Sequence, residues 1–158
     1  MAKSSKLVAV KGSKVLLVRR RRDRLWMFPG GRKRARESEK DCLRREIKEE
    51  LPKLRLGRVR LWKEVKAKNR RSGRKMNDAF FLAGKASGQL EIGDKKEIDK
   101  AIWRKPRGIR LTPTSRYVRD KLFPNQGRGL GKPGQRSVEH LCRYRGSLSS
   151  RGLRMGRG

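Results

Sequence analysis

The chain contains few of the residues on which several classes of protein depend. It has 2 cysteines, Cys42 and Cys142, without a CxxC pair, and a single histidine, His140. This argues against a structural zinc site, a disulfide framework and a catalytic Ser/His/Asp or Cys/His arrangement. Because two separate thiols suit a reducing compartment, we expect a cytoplasmic protein.

Long hydrophobic runs are also missing. Near the start of the chain, the runs Leu7–Val10 and Val15–Val18 hold four residues each. Both are too short for the core of a signal peptide or for a bilayer span, so we expect no membrane association. Hydrophobic residues make up 34% of the chain. We therefore expect one compact core, with part of the chain outside it.

Acidic residues are scarce relative to basic ones. The chain has 15 Asp and Glu against 47 Lys and Arg, which gives a formal net charge of +32. Such an excess favours polyanionic partners: a phosphorylated small-molecule substrate or nucleic acid bound without sequence preference. A compositional bias without a dedicated partner is the alternative. No feature of the sequence bears on the oligomeric state.

The clearest predicted helix spans Ser38–Leu51. Ser38 is a favoured N-cap residue, and Leu43 and Ile47 belong to an apolar stripe that repeats every four residues. Pro52 disfavours helical geometry at the residue before it, so we expect the helix to end there.

The remaining predicted elements are shorter. We expect Pro29-Gly30-Gly31 to interrupt regular structure, and residues 126–158, rich in Gly, Arg and Ser, to be a disordered basic tail after a domain spanning 1–125. Leu7–Val10 and Val15–Val18 are predicted to form a β-hairpin, and Thr112–Leu122 to form a second helix capped by Thr114 or Ser115. The other predicted strands are Val59–Val65, Ala79–Ala83, Gln89–Ile92 and Ala101–Trp103.

Three carboxylates on the first helix indicate a metal site. At about 100° per residue, Glu46, Glu49 and Glu50 fall within an arc of roughly 100°. They repel one another unless a cation lies among them, and oxygen ligands favour Mg²⁺ or Mn²⁺. An intrahelical ion pair between Arg45 and Glu49 would also explain part of this pattern. Spacing alone leaves both interpretations open.

The same segment resembles the signature of the Nudix family, G-x5-E-x7-R-E-U-x-E-E-x-G-U, where U is aliphatic. Gly31 is followed after five residues by Glu37, and after seven more by Arg45-Glu46-Ile47-Lys48-Glu49-Glu50. The resemblance extends over residues 5–124. It departs from the signature at Pro52, where the family has glycine, and at Lys53. Since proline cannot adopt the left-handed conformation of glycine, the turn after the helix must be built differently.

The resemblance implies a fold and a reaction. The fold is the Nudix α/β/α sandwich, with a mixed central β-sheet and a catalytic loop-helix-loop. The reaction is Mg²⁺-dependent hydrolysis of a pyrophosphate bond in a nucleoside diphosphate linked to another moiety. Glu46, Glu49 and Glu50 would bind the metal with the Gly31 carbonyl, and Arg45 would orient Glu46. The general base would be Glu46 or Glu49, with Glu97 as an outside candidate.

The substrate is less well determined by the sequence. Contacts with the substrate are expected from Gly30, Gly31 and Glu37. The basic segment Lys66–Lys75 is either a solvated hairpin loop or a loop that borders the substrate cleft and contacts phosphates. Candidate substrates are a nucleoside triphosphate, a 5′-triphosphate RNA end and an inositol pyrophosphate. A nucleic-acid-binding Nudix-like module with weak or no catalysis is the alternative. The loop residues that would contact substrate are Lys66, Lys68, Arg70 and Arg71. Three aromatic residues could stack a base, but a role in the core is favoured for them; they are Trp26, Phe28 and Trp103.

Overall fold

The structure, a computed structural model, describes residues 2–124. The predicted tail, with Cys142 and His140, lies outside the described residues, so its disorder and the boundary at residue 125 stay predictions. The first compact unit of the chain spans Met1–Arg119. Within the described part, no helix is long and apolar enough to cross a membrane.

Strands dominate the first unit, with one helix in the middle of the chain and one at the end of the described region. In chain order the elements are β1 Ser4–Val8, β2 Val10–Lys11, β3 Lys14–Arg20, β4 Trp26–Met27, β5 Gly30–Arg32, α1 Glu39–Glu50, β6 Leu54–Leu56, β7 Val59–Lys68, β8 Lys75–Ala83, β9 Ala86–Gly88, β10 Ile98–Arg104 and α2 Pro113–Leu122.

The strands form one mixed sheet and two antiparallel ones. The mixed sheet has the order β5-β1-β8-β7, in which β1 and β8 are parallel and the other pairs antiparallel. The second sheet has the order β10-β3-β2, with β4 also paired to β3, and β6 pairs with β9. The predicted α/β fold with a mixed sheet is confirmed.

Helix α1 forms where the sequence predicts it. The side chain of Ser38 accepts a hydrogen bond of 3.1 Å from the backbone N–H of Asp41, which satisfies one of the donors left open at a helix start. Its buried face includes Leu43 and Ile47 in the hydrophobic core, and the helix contacts β1 and β5. The capped, half-buried helix is thereby fixed against the edge of the mixed sheet.

The predicted hairpin of Leu7–Val10 with Val15–Val18 is only partly correct. Leu7 and Val8 belong to β1 and pair with β8 in the mixed sheet, whereas Val10 lies in β2 and pairs with Val15. The two-residue turn after Lys11, in which Gly12 has a φ of 63°, is as expected. The apolar run crosses from one sheet to the other because both sheets contribute to one core, and hydrophobicity does not distinguish between them.

Other predicted boundaries shift for similar reasons. Gly30 and Gly31 do not interrupt regular structure but pair with β1 in β5. The basic loop shrinks to residues 69–74, since Lys66 and Lys68 lie in β7 and Lys75 in β8. The strand that follows β8 is β9, Ala86–Gly88, and the predicted strand Gln89–Ile92 is not formed. Helix α2 starts at Pro113, and Thr114 and Ser115 lie in its first turn rather than capping it.

The turn after α1 is built without the usual glycine, as the sequence requires. Leu51 adopts φ −135° and ψ 72°, outside the helical region that a following proline disfavours. The distant Gly93 completes the turn: its N–H donates a 2.8 Å hydrogen bond to the Glu50 carbonyl oxygen. Gly93 lies so close that a Cβ there would overlap the Glu49 carbonyl oxygen and lie 3.0 Å from Pro52 Cδ.

Gly93→Ala should therefore destabilise the protein. Either the added methyl group displaces backbone at the end of α1 or the hydrogen bond to Glu50 lengthens, at a cost of about 1–3 kcal/mol in the free energy of unfolding. Gly57→Ala is the control, because a Cβ there would meet only ordinary contacts at 3.5 Å or more. Urea denaturation measures both variants. Equal stability of the two would show that Gly93 does not support the turn.

Candidate active site

The guanidinium of Arg45 lies at the centre of the carboxylate cluster on α1. Its Nε and Nη2 donate hydrogen bonds of 2.6 and 3.0 Å to the two carboxylate oxygens of Glu37, and Nη1 donates one of 2.8 Å to Glu46 Oε1. The Glu49 carboxylate lies at 3.4 Å from the same Nη1. A single cation thus contacts three of the predicted site residues.

The contact with Glu37 is the strongest in the cluster. It is bidentate, the geometry in which guanidinium and carboxylate fit best. The backbone N–H of Arg34 donates a further 3.0 Å hydrogen bond to the same carboxylate. The Arg45 hydrogen bonds, followed by the one from Arg34, lower the pKa of Glu37 to about 2. Glu37 is therefore ionised at physiological pH, which suits an anchor for Arg45 better than a contact to substrate phosphate.

Glu46 reaches the strand that precedes the helix because Gly31 has no side chain. A Cβ on Gly31 would overlap the Glu46 carboxylate. Arg45 also donates a 3.0 Å hydrogen bond to the Arg32 carbonyl oxygen, and the Gly31 carbonyl accepts one of 3.4 Å from the Cys42 thiol. The end of β5 and the middle of α1 are held together through these contacts.

Glu50 differs from the other carboxylates because it is 2% exposed. Its Oε2 accepts a 3.0 Å hydrogen bond from the Gly30 N–H. Gly30 has a φ of 141°, and a Cβ there would overlap the Ser5 carbonyl oxygen, so only glycine fits. The pKa of Glu50 is raised to about 8, mainly by burial. The nearby Lys6 and the Gly30 N–H act in the opposite direction, whereas the charges of Glu46 and Glu97 contribute to the rise.

Lys6 is a site residue that the sequence analysis missed. It lies in β1 opposite Gly30, is 8% exposed, and its Nζ lies 3.5 Å from the Gly30 carbonyl oxygen. In the sequence it is one of 47 basic residues, next to an apolar run. The strand register that turns it inward follows from pairing with Gly30 and Phe80, which local sequence does not reveal.

The donor set suits a hard divalent cation. Among the described residues, no three Asp, Glu, His or Cys side chains converge as a ready-made metal site. Glu46 and Glu49 nevertheless lie near one guanidinium nitrogen, and a Glu46 oxygen takes the space that a Gly31 side chain would fill. Carboxylate and carbonyl oxygens are the ligands that Mg²⁺ and Mn²⁺ prefer. The residues therefore fit such an ion, with Glu50 as the ligand that must be deprotonated.

The four predicted basic contacts lie elsewhere on the mixed sheet. Lys66 and Lys68 belong to β7, the edge strand opposite β5, and Arg70 and Arg71 to the loop that follows. All four are exposed. Within residues 2–124, no hydrogen bond or ion pair joins them to the Arg45 cluster. Their role in phosphate binding stays a prediction.

Of the three aromatic residues for which a core role was favoured, one lies fully in the core and two are only half-buried. Phe28 is fully buried and meets Phe80 edge to face at 5.8 Å. Trp26 and Trp103 are half-buried, with Arg19 and Lys11 over their rings at 5.7 and 5.3 Å. Phe28 is thus a core residue, and each tryptophan presents a ring to a cation.

Comparisons with known proteins agree with this geometry. The family model of the Nudix domain matches residues 4–126. Three similar solved structures are a MutT Nudix hydrolase from Burkholderia pseudomallei (24% identity, covering 74% of this chain and 94% of that one, TM-score 0.65), a MutT protein from Bacillus halodurans (19%, 76% and 80%, 0.61), and an ADP-ribose pyrophosphatase from Streptococcus suis (20%, 74% and 83%, 0.52). A search of curated proteins found no match.

The mixed sheet with a carboxylate-bearing helix beside a glycine pair defines a class of phosphoanhydride hydrolases. The chain belongs to the Nudix family, because the family model covers most of its length. The predictions of the family and of a Nudix hydrolase are both confirmed. The structural neighbours, all below 25% identity, show the fold alone.

The buried carboxylate of Glu50 should make the metal-free protein sensitive to alkaline pH. The native state keeps a proton on Glu50 up to a pH of about 8, whereas the unfolded state releases it near the ordinary value of 4.5. Stability is therefore greatest below that value and falls as the pH rises towards 8. In EDTA, Glu50→Gln should match the wild type at pH 5 and exceed it at pH 9 by a few kcal/mol.

Glu49→Gln is the matched control, since the Glu49 side chain is 47% exposed. Its free energy of unfolding should follow the wild type at both pH values. Denaturant titrations at pH 5 and pH 9 measure all three proteins. A wild-type stability that rises between these pH values, with no gain from Glu50→Gln, would contradict the buried protonated carboxyl.

Proposed function

We propose that this Nudix hydrolase cleaves a pyrophosphate bond in a nucleoside diphosphate linked to another moiety, such as a nucleoside triphosphate, or in a similar polyphosphate, with Mg²⁺ or Mn²⁺ bound by Glu46, Glu49 and Glu50 beside the Gly31 carbonyl. The observation that carries the proposal is the arrangement around Arg45, which holds Glu37, Glu46 and Glu49 near the backbone of β5. A phosphate-binding surface without a metal would gain nothing from carboxylates that repel phosphate.

The chain's own residues have distinct tasks in this reaction. Arg45, fixed by Glu37, orients Glu46 through the 2.8 Å hydrogen bond. Glu46 or Glu49 accepts the proton of the attacking water, and the exposed Glu97 is a further candidate. The N–H of Gly30 positions Glu50. When bound, the divalent cation would neutralise phosphate charge and lower the pKa of a coordinated water.

Charge supports a substrate with several phosphates. The chain has a net charge of +32, and long-range attraction by basic surface raises the rate at which polyanions arrive. A nucleoside triphosphate, a 5′-triphosphate RNA end and an inositol pyrophosphate all fit this criterion. A cytoplasmic location, which would supply such substrates, stays a prediction from the cysteine content.

Activity should require both the metal and Glu50. We expect Glu50→Gln to lower kcat by at least about a hundredfold, since removing a ligand weakens the charge stabilisation that the metal supplies. The assay measures phosphate or pyrophosphate released from the three candidate substrate classes, with Mg²⁺ and with EDTA. Glu64→Gln, an exposed change on β7, should retain full activity. Undiminished hydrolysis by Glu50→Gln or in EDTA would refute the metal assignment.

The β7–β8 hairpin favours a second function, nucleic-acid binding. Strand β1 pairs with β8 only from Asp78 onwards, and the Asn77 carbonyl oxygen still accepts a hydrogen bond from the Lys3 N–H. Lys75 and Met76 therefore pair with β7 alone. The tip is ordered, because the Asn69 side chain accepts hydrogen bonds from the N–H groups of Arg71 and Ser72. This basic arm, residues 66–75, exposes cations and contains no carboxylate; its basic residues are Lys66, Lys68, Arg70, Arg71, Arg74 and Lys75.

If the basic arm binds nucleic acid, neutralising it should weaken that binding in a salt-dependent way. Changing Lys66, Lys68, Arg70 and Arg71 together to Gln removes up to four cations that can pair with phosphates. On single-stranded RNA, the slope of log affinity against log salt should then fall by about 0.7 for each such ion pair that no longer forms. Titrations of unrelated RNA and DNA oligomers across salt measure the slope in the full chain.

A matched variant separates position from total charge. Lys14, Lys100, Arg104 and Arg107 are four exposed cations away from the arm. Changed together to Gln, they remove the same charge and should leave the slope closer to the wild type. Equal effects in both variants would assign the binding to overall charge. Strong preference for one sequence, resistant to salt, would favour the alternative of a specific binding module.

A further inference from the structure

Lys6 is a buried cation with unusually poor partners. The ammonium group has three donors, yet it lies 3.5 Å from the Gly30 carbonyl oxygen and 3.6 Å from the Met27 sulfur. The distance to the carbonyl oxygen is at the outer limit of hydrogen bonding, and a thioether sulfur is a weak acceptor at any distance. A lysine that is 8% exposed ordinarily has close oxygen partners, because burying a charge without them is unfavourable.

The position of this cation is defined by the Gly30 peptide. The carbonyl of Gly30 faces Lys6 Nζ, while the N–H of the same residue donates to Glu50 Oε2 at 3.0 Å. Lys6 is close enough to Glu50 to act on its carboxyl electrostatically. Two cations therefore neighbour the cluster: Arg45, which is bound to Glu37 and Glu46, and the buried Lys6, which contacts Gly30, the residue that also contacts Glu50.

The two cations differ in what they can still bind. Arg45 makes hydrogen bonds to two carboxylates at 2.6–3.0 Å, so its charge is compensated. The charge of Lys6 is compensated only weakly at these distances. Gly30 contacts both this ammonium and the Glu50 carboxylate. The ammonium would therefore repel a divalent ion on Glu50, and salt screens repulsion at a buried site only a little. A phosphate group at the same place would instead attract the ammonium.

We propose that Lys6 opposes binding of the divalent metal alone and favours a metal that binds together with the phosphates of the substrate. The proposal rests on the proposed metal site. Lys6 is thus a positioning residue, which makes occupancy of the site depend on the polyphosphate and leaves little metal bound when substrate is absent.

Metal binding can be measured directly, without turnover. In the full chain, titration calorimetry with Mn²⁺ alone should show that Lys6→Met binds at least about tenfold more tightly than the wild type, since a nearby positive charge is gone. Methionine keeps an unbranched side chain and suits contact with Met27. Lys3→Met, at an exposed position on the same segment, should bind Mn²⁺ like the wild type.

A second titration adds imidodiphosphate, a pyrophosphate analogue that resists hydrolysis. It should tighten Mn²⁺ binding to the wild type, and this gain should shrink about tenfold in Lys6→Met, which has no ammonium for the phosphate. If Lys6→Met does not fold, Lys6→Gln carries both measurements. Equal Mn²⁺ affinities of the wild type and the Lys6 variant would overturn the proposal.

The variant Glu50→Gln distinguishes a failure of the proposed metal site from a failure of the proposed role of Lys6. If this variant binds Mn²⁺ as the wild type does, the metal site itself is wrong, and the role of Lys6 fails with it. If Glu50→Gln weakens Mn²⁺ binding while the Lys6 variant leaves it unchanged, the site stands and only the proposed role of Lys6 fails.

Discussion

The mutual repulsion of the carboxylates on α1 is the constraint on which the rest of the site depends. Glu46, Glu49 and Glu50 are brought together by a helix, which cannot separate them. The three carboxylates lie in different environments: Arg45 pairs with Glu46 and Glu49, and burial keeps a proton on Glu50. The repulsion on the helix is consequently relieved before any ligand arrives, and the least hydrated carboxyl is the one that the proposed metal would have to deprotonate.

The sequence predicts the local features of this arrangement well. The N-cap at Ser38 and the apolar stripe through Leu43 and Ile47 place α1 within one residue at each end, because capping and helical periodicity are short-range. The spacing of Arg45 and Glu49 also indicates their ion pair correctly. Both interpretations left open by the spacing are thus compatible: the ion pair is formed in the structure, and the metal site stays a proposal built around it.

Features that depend on distant pairing escape such reasoning. Leu7 and Val10 lie in one apolar run but in two sheets, and Lys6 turns inward only because β1 pairs with β5 and β8. The burial of Glu50 depends likewise on the Gly30 N–H, twenty positions away. Hydrophobicity and charge can be read from the sequence, but the contacts of a side chain in a sheet depend on the strand register, which local sequence does not reveal.

The contact between Gly93 and the end of α1 couples two positions that local rules treat as independent. Pro52 supplies no N–H, and the helix end receives one from Gly93, which must lack a side chain to come that close. In a relative with the family's glycine at position 52, a side chain at position 93 would no longer meet the proline ring, but it would still overlap the Glu49 carbonyl oxygen. Position 93 is therefore restricted mainly by the backbone at the end of α1, and Pro52 adds a second, weaker restriction.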